Sequence, residues 1–284
     1  MNTNIAIVYF SATNVTQTYV KIIRDVLLDR GCEVNLYDVT SFDSRTKPLV
    51  DDEIKNFIFG FPVYDNFAPG VINSWLPRLE GHGKRCTMLF TFGGRTSGYA
   101  HYHTKKLLEQ VGFQVLFSAE FLGKHSYNYA GWSVLSERPD VQDFRVAREY
   151  AHLAIERFSQ DHPPVFRLQK PFSYSRTILA QSKKEKRTER RWPQPYRNIE
   201  DCQMCYKCET ACPTLAFDAA FGLSDIENCI FCMRCVAICP DNVITVYQNR
   251  KFSHEMFLDY CDLTEEMLKQ KRSKIITAAW QAAS

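Results

Sequence analysis

The chain has 284 residues, enough for roughly two domains of ordinary size, and its 45% hydrophobic content separates it from disordered sequence. A net charge of +3 is too small to argue for a nucleic-acid partner. The opening MNTNIAIVYFSATNVTQTYV has neither a basic leader nor a small-residue cleavage site, and no apolar run reaches the length of a membrane span, so a cytoplasmic protein is expected.

Residues 1–160 alternate between strand-like and helix-like stretches. NIAIVYFS (4–11), NFIFGFPV (56–63), RCTMLFTFG (85–93) and FQVLFSAEFLG (113–123) are apolar runs of strand length, and CEVNLYDV (32–39) alternates. Between them, 16–31, 70–81, 99–112 and 140–158 carry a helical period, the first stopping at Gly31. Five strands alternating with helices predict an α/β fold, a doubly wound parallel sheet covered on both faces. In such a sheet the ligand sits at the carboxyl ends of the strands.

Residues 161–198 break this pattern. The stretch contains DHPPVF and WPQPYR, and between Arg176 and Arg197 it holds eight Lys or Arg against two Glu. It reads as a solvated linker, or as a docking strip for an acidic redox partner. Residues 251–284 read as a helical tail that packs back on one domain.

The chemistry is concentrated in between. Of eleven cysteines, eight fall within 202–239, while Cys32, Cys86 and Cys261 stand apart as small buried residues. Disulfides are rare in a cytosolic chain, so such a concentration points to metal. CQMCYKCETACP (202–213) and CIFCMRCVAICP (229–240) both spell C-x2-C-x2-C-x3-C-P. Three thiolates at x2 spacing wrap one face of an iron–sulfur cube, and the fourth, before the proline, ligates the other cluster. Cluster I is therefore expected on Cys202, Cys205, Cys208 and Cys239, and cluster II on Cys229, Cys232, Cys235 and Cys212. Zinc sites show paired C-x2-C or mixed Cys and His, which this spacing does not match.

Residues 199–250 resemble a bacterial-type ferredoxin with two [4Fe–4S] clusters, a small α+β domain. Residues 1–160 resemble flavodoxin. In that family the loop after the first strand binds the phosphate of FMN. Here it reads Ser11, Ala12, Thr13, Asn14, Val15 and Thr16, with Asn14 and Val15 in place of the usual Gly and Asn. Hydroxyls and amides at a helix start suit a phosphate, although the loop carries no cation of its own. The resemblance further implies that Pro62, Val63 and Tyr64 approach the flavin ring. It does the same for Thr91, Phe92, Gly93, Gly94 and Gly98, with Arg95 near the ring's N1 and 125–132 as a lid.

The whole chain is similar to flavodoxin–ferredoxin fusion proteins. That resemblance implies an electron-transfer protein that passes low-potential electrons between FMN, two [4Fe–4S] clusters and redox protein partners, a donor and an acceptor. Two other readings stay open: an FMN-dependent reductase of a small organic substrate fed by the clusters, and an oxygen- or redox-sensing module. A homodimer also stays open.

Overall fold

The computed structural model describes residues 4–47, 49, 53–182, 194–197, 201–246 and 253–277. Strands β1 (Asn4–Tyr9), β2 (Glu33–Asp38), β3 (Asn56–Pro62), β4 (Arg85–Phe92) and β5 (Gln114–Leu122) pair in parallel in the order 2-1-3-4-5. This is the flavodoxin-like strand order, with its switch point between β1 and β3. Helices α1 (Val15–Asp29), α2 (Gly70–Trp75), α3 (Ala100–Gln110) and α4 (Val141–Ser159) connect and cover the strands.

Strict alternation explains why the central strands read as unbroken apolar runs. Ala6, Val8 and Phe10 share one buried layer with Phe57, Phe59 and Phe61. Ile5, Ile7 and Tyr9 share the opposite layer with Ile58, α1 and α4. Both faces of the sheet are buried, so no position needs a polar residue. The buried stripe of α1 is Tyr19, Val20, Ile23 and Leu27, at helical spacing. The Asp140 side chain starts α4 by accepting from the Gln142 and Asp143 amides.

The described part of the segment expected as a linker is mostly exposed, with two buried aromatic residues anchoring it. Phe166 is buried in the first layer. Helix α5 (Tyr174–Ser182) brings Tyr174 against Tyr99, Tyr102 and His103. Most of the basic strip lies in 183–193, outside the described residues.

The cysteine-rich part folds around strands β6 (Pro195–Arg197), β7 (Phe217–Asp218), β8 (Leu223–Ser224) and β9 (Ile244–Val246), antiparallel in the order 7-8-6-9. It carries two short helices, α6 (Lys207–Thr210) and α7 (Arg234–Ile238).

The segment expected as a helical tail is only partly so. It forms α8 (His254–Cys261) and α9 (Glu265–Gln270), then a strand, β10 (Lys274–Ile276), antiparallel to β5. β10 covers the sheet edge that β5 would otherwise expose. Lys274 stands 3.1 Å from Glu120, and the Ser273 hydroxyl accepts from the Leu122 amide. No described helix is long and apolar enough to cross a membrane.

Candidate functional site

The two cysteine motifs repeat in backbone as well as in spelling. Met204, Tyr206 and Leu215 have positive φ, and so do Phe231, Met233 and Asn242, each 27 residues later. None is glycine, and a left-handed backbone costs such residues energy, so the conformation is held by the surrounding motif. In each motif the turn brings an amide onto sulfur. The Met204 amide donates to Cys202 Sγ at 3.3 Å and the Phe231 amide to Cys229 Sγ at 3.4 Å. The Ala216 amide donates to Cys212 Sγ at 3.3 Å. Amides aimed at thiolate sulfur stabilise its negative charge and tune a bound cluster.

The eight thiols form two sets. Cys202, Cys205, Cys208 and Cys239 line one cavity. Cys212, Cys229, Cys232 and Cys235 line another. Each set takes three residues from one motif and one from the other. Among the described residues no three His, Cys, Asp or Glu side chains gather closely enough for a single ion. The thiols ring a space instead, an arrangement that suits a cluster better than a zinc ion at 2.3 Å from each sulfur.

Burial pushes the thiol of Cys229 up to about 11 and that of Cys232 up to about 12, and it raises Cys235 and Cys208 as well. Without iron these groups are neutral thiols at pH 7, so loading a cluster releases protons.

Each cavity has an arginine. At the first, Arg197 is 6% exposed. Its Nη1 donates to Met204 Sδ at 3.0 Å, reaches Cys202 Sγ at 3.4 Å and bonds the Ala219 carbonyl. Its Nη2 takes the Ala220 carbonyl at 3.2 Å, and its Nε is buried without a partner among the described residues. At the second, Arg234 lines the cavity wall and reaches across to the first domain.

The first-domain loops lie at the carboxyl ends of β1, β3, β4 and β5. In the β1 loop, Asn14 adopts φ 66° and gives α1 no side-chain cap. Among the described residues no side chain caps the first-turn amides of Val15 and Thr16, which have no intrahelical acceptor, and this fits an anion. Ser11 Oγ accepts from the Gln17 amide, Ser11 N donates to Thr40 Oγ1, and Thr16 and Thr91 share a hydroxyl bond of 2.8 Å. Ser11, Ala12, Thr13 and Thr16 are buried. The residues of the 11–16 loop and Thr91 are thus brought together.

The loop after β3 turns through Asp65 and Asn66, both left-handed, and closes with a Tyr64–Phe67 bridge. Asp and Asn tolerate this left-handed backbone better than most residues. The Val63 amide ties this loop to the Thr91 carbonyl at 2.8 Å. Tyr64 meets Phe10 edge-on.

The glycines of the β4 loop face the protein's own side chains. A Cβ on Gly93 would meet His125, one on Gly94 would meet Leu268 of α9, and one on Gly98 would meet Asn66. Phe92, which precedes them, is buried at the end of β4. Arg95 lies over the Tyr260 ring of α8. In the 125–132 segment, Tyr127, Tyr129 and Ala130 pack against Phe231 and Met233 of the second cysteine motif.

Contacts with the second motif were missed in the sequence reading. Cys232 is 8% exposed and belongs to the same apolar layer as Phe10, with Val63, Tyr64 and Ile230 packed against it. Burial, with Cys232 and Tyr127 close by, raises the Tyr64 phenol well above its ordinary value. Arg234 Nη1 donates to the Ser11 and Ala12 carbonyls at 3.0 and 3.2 Å. The only hint in the sequence was an arginine inside C-M-R-C.

Residues 194–240 match the 4Fe-4S dicluster domain family. No curated protein matches the chain. Among solved structures, a flavodoxin from the domain Archaea is similar at 14% identity, covering 55% of this chain and 99% of its own, with a TM-score of 0.41. A Streptococcus pneumoniae TIGR4 flavodoxin is similar at 15% identity over 54% of this chain and 98% of its own, TM-score 0.39. The rubredoxin oxygen:oxidoreductase of Desulfovibrio gigas is similar at 18% identity over 54% of this chain and 35% of its own, TM-score 0.40. Strand order assigns the first half and the family match assigns the second: the chain joins a flavodoxin-like α/β domain to a C-terminal 4Fe-4S dicluster domain, in architecture a flavodoxin–ferredoxin fusion.

Proposed function

We propose that the chain is an electron-transfer protein that binds FMN and two [4Fe–4S] clusters and passes low-potential electrons between them and a redox protein partner. The observation that carries this reading is the position of the second four-thiol cavity, packed onto the loops at the carboxyl ends of the parallel strands. Cluster I belongs on Cys202, Cys205, Cys208 and Cys239, and cluster II on Cys212, Cys229, Cys232 and Cys235.

The FMN phosphate belongs at the uncapped start of α1, on the amides and hydroxyls of 11–16. Pro62, Val63, Tyr64 and Thr91 supply the nearest walls for the ring. Gly93, Gly94 and Gly98 shape that region by admitting His125, Leu268 and Asn66. When bound, FMN exchanges electrons singly or in pairs, whereas each cluster carries one. The chain holds the loops, the thiols and the interface between them at fixed separation. Cys205 is exposed and gives cluster I the outward side for a partner. Eleven free cysteines fit a reducing, cytoplasmic setting.

The test is anaerobic purification with iron, sulfide and flavin measured on one sample. About eight irons and one FMN per chain are expected. Zinc in place of iron overturns the cluster half of the reading. Eight irons without FMN overturns the flavin half.

A further inference from the structure

We propose that Arg234 and Arg45 form a latch through which assembly of cluster II sets the affinity of the first domain for FMN. This rests on the reading that FMN occupies the 11–16 loop.

Arg234 sits between Met233 and the cluster ligand Cys235, at the first residue of α7. Its Nη1 holds the Ser11 and Ala12 carbonyls. Its Nε holds the Ala211 carbonyl at 2.9 Å, and Ala211 precedes Cys212. Pro213 follows Cys212, and its carbonyl accepts from Arg45 Nη2. Arg45 is 8% exposed. Its Nη1 also takes the carbonyls of Val39, Thr40 and Ser41 at 2.7, 2.9 and 3.0 Å. Thr40 in turn accepts from the Ser11 amide through its hydroxyl.

Two guanidinium groups from different domains thus flank Cys212, the ligand that crosses from the first motif to cluster II. Both connect back to Ser11. Each spends these bonds on carbonyls rather than carboxylates, so its charge remains available to a nearby anion. The 11–16 loop has no cation of its own, and Arg234 brings one to it. That charge acts at a part-buried interface, where Coulomb attraction is less screened than in water.

The latch is in place only while its backbone is. Met233 is held left-handed beside Cys232, and Arg234 lies between two thiols that a cluster would fix. Losing cluster II frees both flanking ligands, and the loop loses its brace and its cation together. Linkage makes the effect reciprocal: FMN must protect cluster II to the extent that cluster II favours FMN.

The experiment measures the FMN dissociation constant by quenching of flavin fluorescence, on the full anaerobically loaded chain with iron counted for every variant. Arg234→Gln with full iron is expected to weaken FMN roughly tenfold or more. Arg234→Lys, which keeps charge but loses the fork, should fall between it and the parent. Cys232→Ser should weaken FMN comparably, while Cys205→Ser, on the outward side of cluster I, should change it by less than about twofold. In the parent, saturating FMN should slow chelator removal of half of the iron.

Unchanged FMN affinity in Arg234→Gln with full iron overturns the latch. So does equal weakening by Cys232→Ser and Cys205→Ser. If Arg234→Gln fails to load iron, the chelator measurement on the parent decides, and no protection by FMN overturns the latch. A parent chain that binds no FMN at all defeats the underlying flavin reading instead.

Discussion

The two cysteine cavities share spacing, left-handed turns and amide-to-sulfur bonds, yet they stand in different surroundings. The first has an exposed Cys205, with the exposed side chains of Met204 and Tyr206 on its rim. The second has Cys232 embedded in the apolar layer of the flavodoxin-like domain. Its wall includes Arg234, which is bonded to the Ser11 loop. Duplication supplied one ligand geometry twice, and packing then assigned the copies to different neighbours. One opens to solvent and the other faces the first domain.

The largest consequence is kinetic. A cluster is attacked where solvent reaches it, so iron should leave a loaded sample in two steps under a chelator. The first step should be on the order of tenfold faster than the second. Cys205→Ser should abolish the fast step and leave the slow one. A single step in the parent, or a surviving fast step in Cys205→Ser, breaks the contrast between the two cavities.

Redox tuning sharpens the same contrast at smaller scale. Arg197 places a buried positive charge and an N–H group near Cys202, while cluster II shares its arginine with backbone carbonyls of the first domain. A cation favours the more negative, reduced cluster. Arg197→Gln should therefore lower the reduction potential of cluster I by on the order of 60 mV, a tenfold change for one electron. Cluster II should stay where it was. An EPR-monitored titration resolves the two, and equal shifts at both would remove Arg197 from any specific role at cluster I.

Much of this arrangement is legible in the sequence, for physical reasons that differ by region. β1, β3, β4 and β5 read correctly because strands buried on both faces must be continuously apolar. The eight thiols stand out in the sequence because cluster ligation demands fixed local spacing. β10 was hidden: Lys274–Ile276 follows a helix-like run, and only pairing with Glu120, Ala119 and Ser118 makes it a strand. Arg45, Arg197 and Arg234 were hidden for a related reason. An arginine in sequence looks solvated, and the Ser11 and Ala12 carbonyls that Arg234 holds lie more than 200 residues away. The Asp65–Asn66 turn was readable in principle, since these two residue types tolerate the left-handed region best after glycine.

The smallest effect concerns acid on the side of cluster II. His125 packs among Tyr127, Trp132 and Phe257. Burial, and then the nearby His254, lowers its pKa from 6.5 to about 4. His254 itself lies 2.9 Å from Glu265, so the titratable groups facing this ring come from α8 and α9. His125 is neutral in the fold at pH 7. Between about 4 and 6.5 the unfolded chain binds more protons at this position than the folded one, so this contribution to stability is lost as pH falls through that window. The strain enters next to Tyr127 and Ala130, which support Phe231 and Met233, and it enters far from Cys205. Lowering the pH from 6.5 to 5 should lower the amide protection factors, referred to the intrinsic exchange rate at each pH, at 126–130 and at 231–235 while leaving those at 202–208 unchanged. His125→Phe should flatten that response. Equal loss of protection at both motifs would mean that acid acts on the clusters themselves and not through this ring.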